Sequence, residues 1–225
     1  MCGRYQLTLP GLDLETSLGI PPPSSYEPRY NLAPTQAIPI IRMQVGQKTM
    51  AMARWGLIPS WSKQGPSGKP LINARSETVA EKPSFRDALR WGRCLVPATG
   101  FYEWRRSDAH RIPHLIRVKS TRVFTMAGIG TRWLGPDGPV ESVAVLTVNP
   151  RGALKDIHDR MPVILDELGA GQWLDPTTPK ARILDLCTPW PSHDVTIIQV
   201  DPWVNAVAHD DPRCEAPVAI QPTLF

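Results

Sequence analysis

Twenty-five of the 225 residues are proline, and they cut the chain into pieces too short for long helices. Proline has no backbone N–H, and its ring clashes with the preceding helical turn. Each one therefore tends to end an element or sit at its edge. Pro21-Pro22-Pro23-Ser24-Ser25 closes a short helix that Asp13 is placed to cap. Strand-like runs follow at 37–43, 49–57, 93–96, 100–105, 114–118, 123–129, 142–148 and 195–200, with turn residues between them. Helical patterns are fewer. Ser84 with Asp87 reads as a capping box for a helix over 84–91, and 165–173 and 179–186 suggest two more. There is no repeat. The flexible segment from Ser62 to Lys69 is too short to separate domains. The expected architecture is α+β. One domain spans 1–225, with mainly antiparallel strands curled into an open barrel-like sheet and a few peripheral helices. Its core covers about 2–209, and a C-terminal tail follows.

Hydrophobic residues make up 42% and charged residues 20% of the chain, as in ordinary globular proteins. No run approaches the ~20 apolar residues of a membrane span. Arg4 is followed by mixed sequence rather than an apolar leader. The cytoplasm, in association with the nucleoid, is the expected location, or the nucleus in a nucleated cell. Cysteines at 2, 94, 187 and 214 form no Cys-x-x-Cys pair and no zinc spacing. Neither a metal nor any other cofactor nor a disulfide frame is expected. Cys94 lies in an apolar run and should be buried, whereas Cys214 sits in the polar tail. A net charge of +4 and a pI near 9.0 permit an anionic partner. Eight tryptophans among the arginines suit single-stranded nucleic acid, where bases stack on rings, although tryptophan also serves cores.

Four segments carry chemistry. The chain opens Met1-Cys2-Gly3-Arg4. A small second residue lets an aminopeptidase remove Met1, leaving Cys2 with an α-amine and a thiol on adjacent carbons. That amine has a pKa of ~7.7–8.0, against ~10.4 for lysine, so roughly a tenth of it is neutral near pH 7. The thiol, at ~8.5, is also partly ionised. Such an amine forms an imine with an aldehyde, and the thiol can close a thiazolidine on it. The alternative is a small residue that merely follows the start. In the second segment, Asn73, Arg75 and Glu77 share a face if extended, or else form a strand end leading into a helix. In the third, Glu103 is the only acid in an aromatic stretch. Burial would raise its pKa and suit it to acid–base work, whereas exposure would pair it with Arg105. In the fourth, His158 between Asp156 and Asp159 can shuttle protons, or it is structural.

These segments occur in a fixed order with Asn31-x-Ala33-Pro34 and Trp55-Gly56-Leu57-Ile58-Pro59. With Gly100-Phe101-Tyr102-Glu103-Trp104 and Ile157-His158-Asp159-Arg160-Met161-Pro162, the set resembles the SRAP family, the SOS response-associated peptidases, from Cys2 to about His209. The resemblance implies a DNA-damage role. The protein would bind single-stranded DNA at an abasic site and crosslink to it through a Cys2 thiazolidine. Asn73, Glu103 and His158 match the remaining active-site positions. Arg4, Arg75 and Trp61 match positions expected to hold phosphates or stack near the lesion. Some members have a second tryptophan where this chain has Ser62. Strand cleavage by β-elimination is an implied side activity. The protein is expected to act as a monomer, and the sequence names no replication-fork partner. Two other readings stand beside this one. The first is a cysteine peptidase that processes its own Met1. The second is a non-catalytic reader of modified DNA, whose binding would survive Cys2→Ser.

Overall fold

The computed structural model describes residues 2–106 and 111–218. Its strands are β1 (Tyr5–Leu7), β2 (Arg29–Leu32), β3 (Ala37–Gln44), β4 (Gln47–Trp55), β5 (Asn73–Arg75), β6 (Arg93–Ala98) and β7 (Gly100–Arg106). They continue as β8 (Arg111–Val118), β9 (Phe124–Gly135), β10 (Gly138–Val148), β11 (Met161–Pro162), β12 (Ile164–Leu165) and β13 (Val195–Gln199). The helices are α1 (Gly11–Leu18), α2 (Arg86–Trp91), α3 (Glu167–Leu174) and α4 (Lys180–Asp185). The expected α+β architecture is observed, and the sheet curls further than an open barrel. Strands β10, β4, β3, β6 and β9 follow one another, and β9 pairs back onto β10. The ring is thereby closed, which removes the exposed edges of an open sheet. A second sheet runs β13-β8-β7-β1-β2. Pairing is antiparallel except where β10 runs parallel to β4 and to β5.

Local sequence explains the hairpins. Strands β3 and β4 turn through Val45 and Gly46, both at positive φ (49° and 77°). That is the two-residue turn whose twist matches the flanking strands. Glycine takes it freely, while Val45, 98% exposed, holds it under steric strain. Strands β9 and β10 join across Pro136-Asp137 and extend well beyond the expected 123–129 and 142–148. Their outer halves mix half-buried and exposed positions, so no unbroken apolar run marks them. Their inner halves are buried throughout, and on β9 both α2 and α3 pack against the strand.

Three local expectations are corrected. Asp13 lies inside the first turn of α1, whose cap position is Pro10. The Ser84 capping box does not form, because α2 starts later, after Phe85, with no side-chain cap. Residue 165 belongs to β12, and α3 begins after Asp166, whose carboxylate accepts from the Gly169 amide at 2.7 Å. The expected tail beyond residue 209 also packs as far as 218. Asp210 ties to Arg29 and to the Tyr30 and Asn31 amides, Cys214 is buried, and Glu215 pairs with Arg117. Asp211 starts this turn by accepting from the Arg213 amide, a local bond that composition alone does not reveal.

Candidate active site

The site forms where the start of the chain meets β5, β7 and the loop before β11. Strand β1 pairs antiparallel with β7, Tyr5 opposite Phe101, and the Tyr102 amide donates to the Arg4 carbonyl. Continuing that register brings Gly3 opposite Glu103, so pairing alone delivers Cys2 to the glutamate. The Asn73 amide nitrogen, presented by β5, donates to the Cys2 carbonyl at 2.8 Å. The other end of that amide, Oδ1, is buried with no hydrogen-bond partner among the described residues. It is an acceptor left over on the amide that holds Cys2.

Glu103 is 4% exposed. Burial raises its carboxyl pKa to about 7. Its Oε2 lies 3.9 Å from His158 Nε2, and among the described residues its ion pair is with this ring rather than with Arg105. Across the strand pair stands His114, buried, with its Nδ1 donating to the Ile112 carbonyl at 2.9 Å. Burial lowers the pKa of that ring and keeps it neutral. The Cys2 thiol is fully buried too. Desolvation, and then the Glu103 charge, push its pKa well above the ordinary thiol range. The buried sulfur thus holds its proton more tightly than the free thiol expected from the sequence. A thiolate and a Glu103 carboxylate oppose one another, so the pair tends to keep one proton between them.

Three groups reach His158 Nδ1. They are the Arg160 amide at 3.0 Å, the Arg160 carbonyl at 3.3 Å and the Asp159 carboxylate at 2.9 Å. In the neutral ring, Nδ1 accepts from the amide, which leaves the proton on Nε2 facing Glu103. In the charged ring, Nδ1–H turns to Asp159. The loop accommodates both protonation states, as a proton shuttle requires.

A residue singled out only within a motif holds this arrangement together. Arg160 is buried and forms a bidentate pair with Glu77 at 2.7 and 2.9 Å. It also donates to Asn149 Oδ1 at 2.6 Å and to the Thr147 carbonyl. The His158 loop, β10 and the turn after β5 are thereby fastened together. Glu77 therefore faces Arg160, while Arg75 lines the cleft.

That cleft, about 400 Å³, is lined by Arg75, Glu103, Trp104, Arg111, His158 and Arg160, among others. Trp104 and Arg111 continue into a second hollow of about 290 Å³ beside Arg4 and Asn205. Arg4 is half-buried there. Its Nη1 donates to Asn31 Oδ1 at 2.7 Å and to the Val204 carbonyl at 2.9 Å, and it lies 5.7 Å from the Trp104 ring centre. Arg4 thus spends much of its bonding on the protein. Trp61 is 63% exposed on the loop between β4 and β5 and does not line the cleft. The sequence reading therefore placed Cys2, Asn73, Glu103, His158 and Arg75 together, and it missed Trp104, Arg111 and Arg160 as members. The pairing of Glu77 with Arg160 across 83 positions leaves no local signal. Among the described residues no cluster of His, Cys, Asp or Glu could hold a metal ion, and no helix is long and apolar enough to cross a membrane.

A second sheet that brings Cys2 to a buried glutamate, packed beside a closed barrel whose edge strand supplies an asparagine, with a histidine opposite, defines a class. The chain belongs to the SRAP family, SOS response associated peptidase, whose family model matches residues 1–207. It is 39% identical over 219 residues to abasic site processing protein YoqW of Bacillus subtilis, covering 95% of this chain and 98% of that one. It is 31% identical over 273 residues to abasic site processing protein HMCES of Rattus norvegicus, covering 96% of this chain and 76% of that one. A crystal structure of a Bacteroides thetaiotaomicron protein superposes with a TM-score of 0.88 at 28% identity, covering 96% of this chain and all of that one.

Proposed function

We propose that this protein processes abasic sites in DNA by capturing the sugar aldehyde on Cys2. The observation that carries the reading is the anchoring of Cys2 by Asn73 beside the Glu103–His158 pair. The names of the YoqW and HMCES relatives support it. Met1 lies outside the described residues, and its removal is part of the proposal.

With Met1 gone, the sequence of events follows from the groups present. His158 moves the proton that opens the cyclic sugar. The neutral Cys2 amine adds to the aldehyde carbon. Glu103, titrating near pH 7, takes a proton from that nitrogen and gives one to the departing hydroxyl, and water leaves. The Cys2 sulfur then adds to the imine carbon, and its proton passes through Glu103 to the ring nitrogen. The product is a thiazolidine linking protein and DNA with one water lost. Asn73 Oδ1 accepts from the sugar hydroxyl or the amine during these steps. At the imine stage the carbon next to the imine is acidified, so β-elimination of the strand is a side activity. Arg75 and Arg111 offer phosphate contacts and Trp104 offers a stacking face. These features favour a splayed single strand over a duplex. Amide hydrolysis, which the family's name suggests, attacks a poorer electrophile than an imine and leans more on a thiolate. Burial and the Glu103 charge both oppose one.

The test is incubation with single-stranded DNA carrying one abasic site, followed by a denaturing gel. A shifted band is expected, and it should be absent with Cys2→Ala. A band that persists in Cys2→Ala would overturn the proposal.

A further inference from the structure

A cleft of about 690 Å³ opens between α2 and α4, and none of Cys2, Asn73, Glu103 or His158 lines it. Trp91, the last residue of α2, stands in it 76% exposed, while the helix buries Ala88 and Leu89 instead. The indole therefore does little for the core. The Arg90 guanidinium lies over it, 4.6 Å from the ring centre. Arg86, Arg90 and Lys180, all exposed, face one carboxylate, Asp87, which pairs with Arg86 at 3.3 Å. Arg93 also lines the cleft, but it is structural: it donates to the Leu89, Trp173 and Asp175 carbonyls. Trp91 borders a further cleft of about 560 Å³, where Glu141 sits 2.8 Å from Arg42 and 3.9 Å from Arg132. The unbalanced positive charge is thus on the α2–α4 side.

An exposed indole with a guanidinium stacked on it offers a platform for a planar base, and cations around it suit the flanking phosphates. We infer that this cleft binds an undamaged stretch of single-stranded nucleic acid, with one base on Trp91 and phosphates on Arg86, Arg90 and Lys180. The inference is independent of the covalent chemistry, since the cleft and the Cys2 site share no lining residue. An acidic peptide would meet the same charge but has no base to stack.

The experiment uses full-length Cys2→Ala protein and a lesion-free oligodeoxythymidylate, with tryptophan fluorescence and anisotropy as readouts. Trp91→Ala should weaken binding about tenfold and remove part of the quenching. Arg90→Glu should flatten the dependence of affinity on salt. Both variants should melt like the parent, because both side chains are exposed. Unchanged affinity and salt slope in both, with Arg75→Ala alone impaired, would overturn the inference. So would equal quenching by polyglutamate, which would assign the cleft to acidic polypeptides.

Discussion

At the residue scale, two acids of opposite character define the site. Glu103 is held toward its neutral form by burial, while the Arg160 guanidinium holds the Glu77 carboxyl below its usual range. The sign for Glu103 is fixed by its pKa, raised from 4.5 to about 7. Its contribution to stability is complete below the unfolded value and is lost as pH rises through about 7. Each unit corresponds to ~1.4 kcal/mol, so Glu103→Gln should stabilise the protein at pH 8, relative to pH 4.5, by about 2–3 kcal/mol. Thermal melts of both proteins across that range check this, and parallel curves would contradict it. The same variant should slow imine formation roughly 10²-fold while still allowing some final adduct, because in the proposed reaction Cys2 alone bonds the DNA. His158→Ala should slow capture of a natural abasic sugar but not of an open aldehyde that cannot cyclise, as read by single-turnover kinetics. An equal defect on both substrates would remove His158 from ring opening.

At the element scale, the site depends on how short pieces are fastened. β5 has three residues and the His158 loop has no ladder of its own, so Arg160 supplies the connection. Arg160→Met should destabilise the fold by about 2 kcal/mol, a magnitude lowered because Glu77 is partly exposed. It should also slow capture even at temperatures where the variant is folded. Melting and capture measured side by side check this, and a stable but slow variant would show the clamp to be purely positional. The long strands were legible because apolar runs bounded by Pro and Gly mark them. β1, β2, β5, β11 and β12 were not, since two to four residues carry no periodicity. Glu103 was legible as an acid among aromatics, but its burial comes from β7 being covered on both faces. The buried thiol of Cys2 depends on strand pairing that spans nearly a hundred positions, and no local pattern encodes that.

At the scale of the whole molecule, the second sheet brings the start of the chain to β7, and β5 and the loop before β11 meet it from the barrel side. A modest net charge of +4 is distributed so that Arg75 and Arg111 line the cleft beside Glu103. Binding to single-stranded DNA should therefore fall with salt. Arg75→Ala should weaken it for every sequence and reduce the log–log salt slope by about 0.7. Titrations at several ionic strengths check this, and an unchanged slope would take Arg75 off the phosphates. The central claim is covalent capture by the amine and thiol of Cys2. Intact-mass analysis of the protein after reaction with a single-stranded oligonucleotide bearing one abasic site tests it most directly. One species is expected, the chain without Met1 plus the oligonucleotide minus one water, and no such species from Cys2→Ala. An adduct that retains Met1, or the same mass gain in Cys2→Ala, would contradict it.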